Sequence, residues 1–268
     1  MPTGKLINGE WRKEGYEKDG DGRFLRNPTT FRNWVKADGS SPFSPEMGRY
    51  HLYVSLACPW AHRTLIMRKL KGLDTAISLS IVDPYMGEEG WQFSEAPGAI
   101  PDSIHGATYL REVYVKADPN YTGRVTVPVL WDKETGTIVN NESREILRIF
   151  DHEFSKIAQD QTDYCPPELK DTIEQTIDQI YQPINNGVYR AGFAQSQAAY
   201  DEAVTELFTA LDHWEKVLTK QPYLCGDRIT EADWCMFTTL LRFDPVYYVH
   251  FKCNLYRIVT AIRLQSSY

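Results

Sequence analysis

No apolar stretch in these 268 residues approaches the ~20 needed to cross a bilayer, so a spanning helix is not expected. The opening MPTGKLINGEW has no apolar core of the signal-peptide kind, and a cytoplasmic protein is the expectation. Positive charge is in deficit: 29 Lys and Arg against 36 Asp and Glu leave a net −7. That argues against nucleic acid, or an anionic membrane, as the main partner. Cysteine is sparse and irregular, with five residues at 58, 165, 225, 235 and 253. An odd count with no Cys-x-x-Cys excludes a disulfide framework and paired metal ligands. No Gly-rich phosphate loop is present either, so metal, flavin and nucleotide all drop out of the expectation.

What is there is ordinary globular composition, 42% hydrophobic and 24% charged, in a chain long enough for two modest domains. Residues 1–49 are rich in Gly, Pro, Asp and Arg with aromatic anchors at Trp11, Phe24, Phe31 and Trp34, and read as an irregular arm. From Tyr50 the pattern changes. YHLYVSL reads as a strand, PWAHRTLIMRKLKG as a helix stopped by Gly72, and AISLSIV as a second strand, a parallel βαβ unit. Residues 83–124 form a long turn-rich connection whose helical piece is ATYLREVYVKA. RVTVPVLWD and GTIVN then read as a hairpin, and ESREILRIFDHEF as an amphipathic helix burying Ile146, Leu147, Ile149 and Phe150. Further on the strand signals vanish. PELKDTIEQTIDQIYQPINNGVYRAG, SQAAYDEAVTELFTALDHWEKVLTK and EADWCMFTTLLRFDPVYYVHF all read as helices, the last opened by Thr230 with Asp233 three residues on. The order β-α-β, β-β-α, then helices predicts an α/β plus all-α chain: a thioredoxin-like domain over 50–154 and a helical domain over 166–268.

Cys165, Cys225, Cys235 and Cys253 read as small hydrophobes that stay reduced. Cys58 stands at the junction of a strand and a helix, where unpaired N–H groups and the helix dipole favour a thiolate. Pro59 suits the first helical position. Ala61 stands where a dithiol oxidoreductase has its second cysteine, so a thiol adduct on Cys58 needs an outside thiol to resolve it. Position alone leaves open a small buried residue closing the turn. Val127-Pro128 favours the reactive reading, because a proline there, expected cis, leaves a backbone edge for an extended peptide. Glu142 and Ser143 open the next helix, where N–H groups and a hydroxyl can hold a carboxylate. Thiol, peptide edge and carboxylate seat together describe a small acidic thiol peptide, with glutathione as the candidate.

The segments SLACPWAHRTLI, the Gly90-Trp91 pair with Phe93, GRVTVPVLWD, NNESREI, NNGVYRAGFA and RFDPVYYVHFKCN resemble the glutathionyl-hydroquinone reductases, the Xi class of glutathione transferases. The resemblance runs from the arm to about Arg257. Cys-Pro-Trp sets it apart from the omega class, where Pro-Phe or Pro-Tyr usually follows the cysteine. It implies a thioredoxin-like domain followed by an all-helical glutathione-transferase domain, and a homodimer. It implies Cys58 as nucleophile, Trp91, Arg124, Val127, Glu142 and Ser143 as glutathione contacts, and Tyr189 and Tyr247 as hydroxyls facing the second substrate. Arg124 suits a carboxylate partner; read alone it is a solvated loop arginine, and Trp91 alone a core anchor. Tyr248 adjoins Tyr247 and offers the same hydroxyl. The closing LYRIVTAIRLQSSY departs from the family, so the helical domain is expected to be shortened, with its last pocket tyrosine in question.

The expected chemistry is glutathione-dependent reduction of glutathionyl-hydroquinones through a Cys58–glutathione mixed disulfide, with no metal, flavin or nucleotide. Two alternatives share the fold: an omega-like thiol transferase or dehydroascorbate reductase, and a catalytically silent glutathione-binding module. The aromatic residues favour the first reading over the transferase, and a reactive thiol favours it over a silent scaffold.

Overall fold

Asn8 and Gly9 both adopt positive φ, 50° and 78°. This is the conformation of a two-residue hairpin turn, whose twist matches that of its strands. They join β1 (Lys5–Ile7) to β2 (Glu10–Arg12), which pair antiparallel in a sheet of their own. The irregular arm expected over 1–49 thus contains a hairpin, its strands too short to show alternation. Gly9 is required twice over, since a Cβ there would lie 2.1 Å from the Pro119 carbonyl oxygen. The structure, a computed structural model, describes residues 4–260. Of the closing stretch that departs from the family, residues 261–268 lie outside the described residues.

The chain divides into two units, residues 1–15 with 28–163, and residues 16–27 with 164–268. The first is built on a four-stranded sheet ordered β4-β3-β5-β6. β3 (Tyr50–Ser55) is buried throughout and runs parallel to β4 (Ile77–Val82), with α1 (Pro59–Leu70) between them in sequence. On its other side β3 pairs antiparallel with β5 (Val129–Asp132), which turns back into β6 (Thr137–Asn140). A strand buried on both faces is expected to be apolar throughout rather than to alternate, and YHLYVS meets this by sheltering His51 between serines. α2 (Leu110–Ala117) lies in the long connection, and α3 (Ser143–Arg148) follows the hairpin and packs against α1. β5 starts only after Pro128, although RVTVPVLWD reads as one β run. The proline has no N–H for a ladder, and the Val127–Pro128 peptide is cis, as the sequence suggests.

Two ion pairs anchor this unit. Arg49 grips the fully buried Asp132 with two bonds of 2.8 Å, fixing the start of β3 to the end of β5. Lys71, 2% exposed at the end of α1, reaches Asp151 Oδ1 at 3.2 Å and donates to Thr162 O at 2.7 Å.

The second unit has no strand among its described residues. α4 (Lys170–Ile180) ends in a wide turn over Tyr181–Asn185 and restarts as α5 (Gly187–Phe193). The sequence reads there as one helix, but Pro183 withdraws a donor from the ladder and the turn widens around it. α6 (Gln197–Leu218) buries Ala199, Ala203, Val204, Leu207, Phe208, Leu211 and Trp214 along one stripe. α7 (Glu231–Leu240) opens as expected, with the Asp233 carboxylate accepting the Thr230 and Leu224 N–H groups at 2.8 Å. Beyond it Pro245 breaks the helix in the way Pro183 does, leaving a wide turn over Phe243–Tyr247 and one turn, α8 (Tyr248–His250). Tyr16–Asn27 belong to this unit: Phe24 sits 5.4 Å from Phe193, and Arg23 binds Glu202 at 2.9 Å.

Candidate active site

β3 ends at Ser55, whose carbonyl accepts the Cys58 N–H at 3.1 Å and closes the turn into α1. Cys58 is the extended residue before the helix (φ −86°, ψ 118°), Pro59 is its first residue, and the first ladder bond runs from His62 N–H to Cys58 O. The half-buried sulfur therefore lies at the positive end of the twelve-residue α1. It reaches across to β5's approach, donating to Val127 O at 3.6 Å. Cys58 and the backbone before Pro128, 69 residues apart in sequence, are thus adjacent in the fold.

Tyr114 holds that edge. Its fully buried hydroxyl donates to Thr126 O at 2.8 Å and accepts Thr126 N–H at 3.2 Å and Asn141 Nδ2 at 3.1 Å. One phenol so fastens the residue before Val127 to the residue before Glu142, and burial pushes its pKa far up, keeping it neutral. Glu142 caps α3 itself: its carboxylate accepts Arg144 N–H at 3.3 Å and the Thr29 hydroxyl at 3.2 Å. Ser143, 3% exposed, accepts from Arg63 Nη1 at 3.4 Å. Arg63 is itself 2% exposed and stacks over Trp60 at 4.5 Å. Arg63 lies five residues beyond Cys58 within SLACPWAHRTLI, where nothing local signals that it reaches Ser143.

Arg124 and Trp91 are placed by another part of the chain. Arg124 donates through Nη1 to Gly4 O at 3.1 Å and Glu14 O at 2.8 Å, and through Nη2 to Gly15 O. It is a fork gripping the arm, not a solvated loop arginine. The half-buried Trp91 follows a tight turn at Gly87–Gly90, and its carbonyl accepts Leu110 N–H at 2.9 Å.

In the helical unit Tyr189 and Tyr247 meet. Their rings are 6.1 Å apart, and Phe251 contacts both, at 5.4 Å and 5.2 Å. Arg26 covers Tyr189 at 4.6 Å and donates to Asn186 Oδ1 at 2.7 Å. Tyr248 lies instead under Arg257, at 4.4 Å, so Tyr247 is the one grouped with Tyr189. Phe193 and Phe251 carried a signal, since both fall within the quoted motifs; Arg26 carried none.

Asp151, His152 and Asp163 bring ligand atoms within 4.8 Å of one another. The Lys71 ammonium already meets Asp151, so the group is an ion-pair junction.

A thioredoxin-like sheet with a cysteine at a helix start and a cis-proline edge beside it, continued by an all-helical unit, is the build of a cysteine-type glutathione transferase. Residues 57–153 match the glutathione S-transferase N-terminal domain and residues 197–263 its C-terminal domain. The chain is 51% identical to the glutathionyl-hydroquinone reductase YqjG of Escherichia coli, over 97% of this chain and 82% of that protein. A Xi class glutathione transferase from Natrialba magadii superposes with a TM-score of 0.92 at 57% identity, covering 98% of this chain and 80% of that one. Glutathione-bound YqjG superposes at 0.89 with 50% identity, over 97% and 82%. The chain belongs to the glutathionyl-hydroquinone reductases, the Xi class of glutathione transferases. Among the described residues no helix is long and apolar enough to cross a membrane.

Proposed function

We propose that this protein reduces glutathionyl-hydroquinones to hydroquinones at the expense of glutathione, with Cys58 as nucleophile. The observation that carries the proposal is the Cys58 sulfur at the start of α1, 3.6 Å from Val127 O. A glutathione moiety laid along Val127 presents its sulfur to that thiolate. The Cys58 thiolate attacks the glutathione sulfur; an S–S bond forms, the C–S bond breaks, and the aromatic carbon leaves with the electron pair and takes a proton. A second glutathione, as thiolate, attacks the mixed disulfide and releases glutathione disulfide with Cys58 restored.

Trp91, Arg124, Glu142 and Ser143 are proposed as further glutathione contacts. Glu142 and Ser143 fit best, being joined to the Val127 edge through Tyr114 and Asn141. Tyr189 and Tyr247 are assigned to the ring, as donors to the charge that develops on it. The proposal extends to a cytoplasmic homodimer, working without metal, flavin or nucleotide, whose association sedimentation measures directly. The catalytic test is glutathione-dependent release of menadiol from glutathionyl-menadiol by the protein and by Cys58→Ala. Release by the first and none above background by the second is expected. Equal release by both refutes the assignment of Cys58, and a folded protein that takes glutathione onto Cys58 yet releases no menadiol refutes the reductase reading.

A further inference from the structure

Trp91 and Arg124, 33 positions apart, are both held by residues 4–15. Arg124 closes its fork on the carbonyls of Gly4, Glu14 and Gly15. The segment leading into Trp91 is held from the same hairpin. Trp11, on β2, donates its indole N–H to Glu88 O at 3.1 Å and lays its ring on Gly90, where a Cβ would come within 3.0 Å of it. Gly90 has φ +83°, so two independent constraints demand glycine beside that ring. Lys13 adds bonds to Glu88 at 2.8 Å and Glu89 at 3.1 Å. Arg111 completes the clamp from α2: it binds the Glu89 carboxylate at 2.9 Å and the Glu89 carbonyl, and stacks over Trp11 at 5.3 Å and Tyr109 at 4.1 Å.

Core stability alone does not account for this pattern. Lys13, Glu88 and Glu89 have side chains more than 40% exposed, and exposed ion pairs contribute little to stability. What they share is the turn at 87–90 that sets the backbone entering Trp91. We propose that the N-terminal hairpin is a positioning element for glutathione, with Trp11 as the residue that fixes the Trp91 segment. The inference rests on the reading of Trp91 as a glutathione contact. Trp11 itself is a positioning residue, acting through the Glu88 carbonyl and the Gly90 backbone.

The experiment measures glutathione dissociation constants by calorimetry in the Cys58→Ser background, and KM and kcat in the otherwise native protein, for Trp11→Ala, Trp11→Phe, Trp91→Ala and the Trp11→Ala/Trp91→Ala pair. Losing one hydrogen bond and its ring packing predicts that Trp11→Ala weakens glutathione binding roughly three- to tenfold. KM for glutathione rises in step while kcat at saturation stays within about twofold. Adding Trp11→Ala to Trp91→Ala is expected to weaken binding no further, because the first residue works through the second. Trp11→Phe keeps the packing and removes only the bond to Glu88, so it gives an intermediate loss and a folded protein if the alanine variant is unstable. Glutathione affinity within twofold of native in both Trp11 variants, with loss in Trp91→Ala, overturns the inference and leaves the reading of Trp91 standing. Unchanged affinity in Trp91→Ala overturns both. Fully additive losses place Trp11's effect outside Trp91 and overturn the positioning role.

Discussion

His51 sits on the central strand that delivers Cys58, and it offers a quantitative test of the fold. Its ring is wholly buried between two β4 hydroxyls, Nδ1 at 2.7 Å from Ser78 Oγ and Nε2 at 2.9 Å from Ser80 Oγ. Ser80 directs its own hydrogen to Pro101 O at 2.9 Å and so accepts from Nε2–H, while Ser78, whose carbonyl acceptor Tyr50 O lies farther off at 3.4 Å, gives its hydrogen to Nδ1 at the shorter 2.7 Å. The neutral ring is thus fully satisfied, and burial pushes its pKa down to about 4 from 6.5, with the nearby Asp102 opposing only in part. Because the folded value lies below the unfolded one, the unfolded chain binds the extra proton. The stability held above pH 6.5 is therefore lost as pH falls from there toward 4. Between pH 8 and pH 5 the loss from this residue is about 2 kcal/mol, or about 4–8 °C in melting temperature for a chain of this size. The assay is thermal unfolding from pH 8 to pH 5 for the native protein and for His51→Gln, which keeps a donor and an acceptor but does not titrate. His105 shifts in the same direction but is present in both proteins and cancels. The variant is expected to be less stable at pH 8, with the gap narrowing by about 2 kcal/mol at pH 5. A gap that stays constant across the range refutes the account of a buried neutral histidine.

Tyr247→Phe should lower kcat for glutathionyl-menadiol about 10- to 100-fold, the loss of one hydrogen bond to developing charge, while single-turnover glutathionylation of Cys58 by glutathione disulfide stays unchanged; equal loss in both steps points to folding instead. Tyr248→Phe, under Arg257, is the control and should leave kcat within about twofold. Lys71→Met removes the ammonium from the buried Asp151 carboxylate and should cost about 3–5 kcal/mol, read as a fall in denaturant midpoint; an unchanged midpoint contradicts the pair as an anchor of α1.

Those elements whose signals are local were legible. β3, α1 and β4 follow from seven-residue apolar runs on either side of a helical period, and the Asp233 capping pattern from four adjacent residues. The place of Cys58 also followed, because strand, proline and helix are consecutive. The Asn8–Gly9 hairpin was legible in principle but masked by the turn-rich composition around it. The wide turns at Pro183 and Pro245 were hidden because the helical period continues across both prolines. What the sequence could not show is pairing at a distance. Arg124 finds its carbonyls more than 100 positions away, Arg26 meets Tyr189 across 163, and Arg63 reaches Ser143 across 80. Each is decided by the fold that brings the partners together. The same limit applies to the tyrosines: Tyr247 and Tyr248 are equivalent as letters and separate only by where the turn at Pro245 points each ring.

Four of the five cysteines are buried, and burial pushes the Cys253 thiol up to about 12 and raises that of Cys225. Only Cys58 is half-exposed. With Cys58 as the proposed nucleophile, the native protein would carry its own active-site counter. A small thiol reagent applied without denaturant should consume one equivalent per chain, and that equivalent would report the number of intact Cys58 thiols in any preparation. A fluorophore or affinity handle attached by the same chemistry would land at one address, with no cysteine needing to be removed first.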